Sequence, residues 1–98
     1  MATHVGVARV TLLLAEHASL KEKRMVVGSV TQRIRNRFNV AVAEVDTQDA
    51  WGVITLGIAC LSEDKRHANE MLNKVVDFVE SERLDAEVGD VEIELIAL

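Results

Sequence analysis

The spacing of apolar residues switches twice along this chain, from alternation to a period of about 3.6 residues and back, and that rhythm limits the fold more than any single motif. Val5 to Leu14 (VGVARVTLLL) is aliphatic and β-branched and reads as a first strand. Gly6, Ala8, Val10, Leu12 and Leu14 fall on one face of it, and Val5, Val7, Arg9, Thr11 and Leu13 on the other. From Leu20 onward the stripe Leu20, Val27, Val30, Ile34 and Phe38 predicts a helix with one side laid on a sheet. Alternation returns from Val40 to Asp46, with Ala41, Ala43 and Val45 expected on the core face and Val40, Val42, Glu44 and Asp46 opposite. Thr47, Gln48 and Asp49 suit a tight turn, and WGVITLGIACL from Trp51 completes a hairpin. In that strand Ile54, Leu56, Ile58 and Cys60 share a face opposite Trp51, Val53, Thr55 and Gly57. Ser62, Glu63 and Asp64 mark a second helix start, and Ala68, Met71, Leu72, Val75, Phe78 and Val79 carry it to about Glu82. After the break ERLDAE, VGDVEIELIAL sets Val91, Ile93 and Leu95 against Glu92 and Glu94 as a fourth strand.

Strand, helix, strand, strand, helix, strand in 98 residues is the order of the ferredoxin-like split βαβ arrangement. The expected fold is α+β: one domain over residues 1–98, a four-stranded antiparallel sheet with both helices on one face, each crossover right-handed. At 49% apolar and 28% charged residues the chain can fill such a core without staples. Cys60 is the single cysteine, so no internal disulfide and no CxxC metal or redox site can form. No positive region precedes the first apolar run, and no apolar run approaches the ~20 residues of a membrane span, so a cytoplasmic protein without a membrane partner is expected. The sheet face away from the helices should stay open and present Val5, Val7, Arg9, Val40, Val42, Glu44, Trp51, Val53, Thr55, Glu92 and Glu94. An apolar face with few charges is commonly covered by a second copy, so a homodimer through Val5, Val7, Val40, Val42, Trp51 and Val53 is expected.

The charge is unevenly placed. Between Leu20 and Phe38 lie Lys21, Lys23, Arg24, Arg33, Arg35 and Arg37 against Glu22 alone, a local net of +5 in a chain of −5, so the remainder carries −10. Ser19 and Glu22 form a capping box that marks the helix start. Arg24, Gly28 and Arg35 flank the apolar stripe on one side, with Lys21 close by, and Val26, Arg33 and Arg37 flank it on the other. Lys23 falls inside the apolar arc, where its stem can lie on apolar surface with the ammonium reaching past the sheet end. A helix that merely meets water usually mixes Glu with Lys for i,i+4 pairing, and this one does not. The six basic residues are therefore candidate contacts for RNA or the ribosome. The alternatives are a regulatory or scaffolding module that binds an acidic protein or small anion, and a helix that is only solvated. The open face would not stack bases in the manner of an RNA recognition motif, since its first strand has no aromatic and its acids repel phosphate.

No enzyme is expected. Glu44, Asp46 and Asp49 are the nearest approach to a carboxylate cluster and suit turn chemistry, although oxygen ligands there could take a hard cation. His4, His17 and His67 are scattered without ligand spacing, Cys60 shares a face with Ile54 and Ile58, and neither a metal nor a cofactor is implied. GxGxxG, a Walker loop and HExxH are missing, and AEHASLKEK is not the glycine-rich, Arg-ending loop of an acylphosphatase.

With SLKEKR, RIRNRFNVAVAEVD, the QDAW turn and LGIACLS in hand, the sequence resembles the YlxP-like family of small bacterial proteins of unknown function, over nearly its whole length. The resemblance implies a ferredoxin-like fold, no assigned activity, and genes often near those of translation initiation and ribosome-binding factors. Other members often carry His in place of Thr47 and Gln in place of Gly52.

Overall fold

A computed structural model of the protein describes residues 2–82 and 85–98. Its elements are β1 (His4–Leu14), α1 (Leu20–Arg37), β2 (Ala41–Glu44), β3 (Val53–Ser62), α2 (Lys65–Ser81) and β4 (Ala86–Ala97). The strands form one antiparallel sheet in the order β2-β3-β1-β4, the ferredoxin-like topology. The expected break between α2 and β4 is shorter than ERLDAE because β4 begins at Ala86; Arg83 and Leu84 lie outside the described residues.

Each helix starts where its cap dictates. The Ser19 hydroxyl accepts from the Glu22 amide at 3.1 Å while the Glu22 carboxylate accepts from the Ser19 amide at 3.3 Å, so two of the free donors of the first turn are satisfied reciprocally. Asp64 caps α2 by accepting from the Arg66 amide at 2.9 Å. Val10, Leu12, Ile54 and Leu56 from the sheet meet Val30 and Ile34 of α1 and Leu72 and Val75 of α2, all fully buried. Gly6 sits where α2 approaches β1: a Cβ there would lie 2.8 Å from Leu72 Cδ1. Contacts between the helices join their C-terminal halves, with the rings of Phe38 and Phe78 edge to face at 5.5 Å and Arg33 paired with Glu82 at 3.7 Å.

The facing of β2 is the reverse of the expectation. Its register places Val42 opposite Ile58 and Glu44 opposite Leu56, and directly opposed residues share a face, so Val42 and Glu44 point toward the helices and Ala41 and Ala43 toward the open side. Val42 is buried in the core and Val40 packs against it; neither belongs to the open face. The parity follows from burial, because removing two valines from water is worth more than removing two alanines, and a shift of one residue would exchange them. On the open side the small pair Ala43 and Gly57 leaves room for Val45, which folds over Gly57 to within 3.2 Å of where a Cβ would stand. The next residue, Asp46, turns the chain with φ 61°, which ends β2 after four residues. Val91, expected on the core face, sits beside a register shift in β4 and is 37% exposed.

Candidate functional site

Lys23 is the one lysine or arginine that the structure buries among the described residues, at 1% exposure. An ammonium has three donors, and all three are taken: Nζ is 2.9 Å from Glu44 Oε2 and donates to the carbonyl oxygens of Thr47 and Ala50. The Thr47 hydroxyl donates to the same Glu44 oxygen at 3.0 Å and accepts from the Thr55 amide at 2.8 Å. The first turns of α1 are thereby tied to the end of β2 and to the connection into β3. Lys23 is thus withdrawn from the candidate anion contacts: its ammonium points inward under α1, not past the sheet end. Both partners of this knot are visible in the sequence, but their pairing is not. With Glu44 expected on the open face, the two would lie on opposite sides of the sheet; the observed facing of β2 brings Glu44 under α1 to meet Lys23.

The other five basic residues separate into two ridges. Arg33 and Arg37 face α2, where Arg33 pairs with Glu82 and the Arg37 guanidinium lies 5.0 Å from the centre of the Phe78 ring. Lys21, Arg24 and Arg35 run along the other side, toward the β2 edge, where Arg35 donates to the Val42 carbonyl at 2.9 Å. Lys21 and Arg24 are exposed and pair with no acid among the described residues. Gly28 between them and Arg35 adds no bulk, with open space where a Cβ would be.

The open face is organised in rows across the strands. Leu61, Val5 and Ile96 form one row, and Ala59, Val7 and Glu94 the next. Leu61 is 72% exposed and Ile96 46% exposed, while Val5, Val7 and Val53 are half-buried. The row of Gly57, Arg9 and Glu92 then brings charge, with the Arg9 guanidinium 3.8 Å from Glu92 and 4.0 Å from Asp46. Trp51 is 63% exposed beyond the start of β3. The three acids near the end of β2 are therefore apart: Glu44 lies under α1, Asp46 on the open side, and Asp49 is exposed in the turn. Among the described residues no three His, Cys, Asp or Glu side chains gather as metal ligands would, and no helix is long and apolar enough to cross a membrane. Cys60 is buried with Sγ 3.7 Å from the Ala68 carbonyl; burial pushes its thiol up, against a smaller opposing effect of a backbone hydrogen bond at Gly6.

A ferredoxin-like α+β domain with a buried lysine knot and an uncovered sheet face is the class these features define. The chain belongs to the family described as protein of unknown function DUF503, which it matches over residues 5–93. It is 34% identical over 77 residues to the uncharacterized protein YlxP of Bacillus subtilis strain 168, an alignment that covers 79% of this chain and 84% of that one.

Proposed function

We propose that this protein is a non-catalytic binding module that contacts RNA, free or within a ribonucleoprotein such as the ribosome, along the Lys21, Arg24 and Arg35 ridge of α1. The observation that carries the reading is the lack of an acidic partner for Lys21 and Arg24 among the described residues, in a chain whose formal charge is −5. Exposed like charges held on one side of a helix repel each other, and a polyanion relieves that repulsion with opposite charge while its own condensed counterions are released, which adds an entropic gain. From residue 21 to residue 35 the ridge spans about 21 Å. Anisotropy of a labelled ribosomal RNA fragment, titrated at rising salt, tests it. Three phosphate contacts predict a log–log salt slope of about −2 for single strands. Lys21→Glu with Arg24→Glu should then weaken binding at least about tenfold at low salt. Arg33→Glu with Arg37→Glu is the poorer choice because it also disturbs the packing on α2. No measurable affinity for the RNA at low salt would refute the reading, and equal binding of an acidic polypeptide would transfer the ridge to a protein partner.

The row Leu61, Val5 and Ile96 supports a second reading, a homodimer through the open face that covers Val5, Val7 and Val53. Its contact set differs from the sequence expectation by losing Val40 and Val42 and gaining Leu61 and Ile96. Sedimentation at micromolar concentration decides it: a monomer ends the idea, and Leu61→Asp should dissociate a dimer.

A further inference from the structure

We propose that the outer edge of β4 accepts an extended peptide segment of alternating basic and apolar residues as a fifth strand of the sheet. β4 runs for 12 residues and is paired on one side only, with β1; no described element pairs with its other side. The backbone donors and acceptors directed outward along that edge are a template for another chain. By contrast the opposite edge, β2, is four residues long, and Arg35 occupies its Val42 carbonyl.

The two faces of β4 state what the added strand must carry. Toward the helices stand Val91, 37% exposed, and Ile93 and Leu95, half-buried. Toward the open side stand Glu92 and Glu94, both exposed. Depressions flank the same stretch on either face. One of about 590 Å³ lies at the start of α2, lined by Asp64, Lys65, Arg66, Asn69 and Leu95. The other, of about 310 Å³, is lined by Val7, Arg9, Glu92, Ile93 and Glu94. Successive side chains of a strand laid along residues 91–96 would alternate between the faces, apolar ones beside Ile93 and Leu95 and basic ones beside Glu92 and Glu94.

Charge decides between this occupant and its rivals. β4 contains Glu87, Asp90, Glu92 and Glu94 and neither Lys nor Arg. A second copy pairing antiparallel about Ile93 would set Glu92 directly against the partner's Glu94, a like-charge pair on each side of the central Ile93. Nucleic acid is repelled by the same acids. A basic alternating segment turns each of those contacts into an attraction.

The test uses labelled peptides in which Lys alternates with Val, a Glu–Val counterpart, and a Lys–Val peptide with two inner valines replaced by proline. The last keeps the charge and loses the ability to extend the ladder. The Lys–Val peptide should bind, slow the exchange of amides in residues 91–96, and bind at least about tenfold more tightly than the proline peptide. Glu92→Lys with Glu94→Lys should cost about tenfold or more and gain affinity for the Glu–Val peptide, while circular dichroism checks that the variant is folded. Equal binding of the valine and proline peptides, protection at a site other than β4, or no binding by the folded protein would each overturn the proposal. The ridge on α1 is remote from this edge, so Lys21→Glu with Arg24→Glu should leave peptide binding unchanged.

Discussion

Replacing Lys23 with methionine isolates the worth of the buried knot, because the thioether chain fills nearly the same volume and only the ammonium is lost. Glu44 then keeps its hydroxyl partner Thr47 but loses its cation, and the carbonyls of Thr47 and Ala50 lose a charged donor. Breaking a buried pair by removing one member costs about 3–5 kcal/mol. The lower end applies here, since the Glu44 side chain is 14% exposed and water can reach part of the carboxylate. A loss of about 3 kcal/mol, with a urea slope of about 1–1.5 kcal/mol/M for a domain this size, lowers the unfolding midpoint by about 2–3 M. Urea titration followed by far-ultraviolet circular dichroism measures it. In the double variant Lys23→Met with Glu44→Leu the unpaired carboxylate is gone as well, and much of the loss should return. Raising the salt concentration should change neither figure much, unlike the effect on an exposed pair such as Arg33 and Glu82. A Lys23→Met midpoint within about 0.5 M of the parent would refute the reasoning, for then the knot contributes no more than a surface ion pair does.

Gly28→Ala should stabilise the protein by about 0.5–1 kcal/mol, raising Tm by several degrees, because the site is helical and the added methyl meets open space. Gly6→Ala should do the reverse, losing about 1–3 kcal/mol in the same urea assay as Leu72 and Cys60 are forced apart. Cys60 should react with a thiol reagent at pH 8 at least about a hundredfold more slowly in the folded protein than in urea. Since burial raises its pKa, the folded state favours the protonated thiol, so this contribution is complete below the unfolded pKa and is lost as pH rises through the folded one. Cys60→Ala should accordingly flatten the decline of the urea midpoint above about pH 8.5.

The period of the apolar residues was enough to read the six elements and their order, and the capping box placed the start of α1 at the observed residue. Those signals are local, set by neighbours three or four positions away. The facing of β2 was not local. AVAE alternates two small apolar residues with a larger one and an acid, and the choice between them depends on the register against β3 and on a lysine 21 positions earlier in the chain. The basic residues show the same limit. Their excess was plain in the sequence, but only the packing of α1 shows that Arg33 and Arg37 lean on α2, that Lys23 is enclosed, and that Lys21 and Arg24 are left without an acid among the described residues.

The unequal edges of the sheet also set a limit on stoichiometry. β2 at the far end is too short, and too occupied by Arg35, to accept a segment of its own, so strand addition would use the β4 edge alone. Copies joined edge to edge through β4 would have no second long edge to offer, so such contact would stop at a pair where a sheet open on both sides could go on to form fibres.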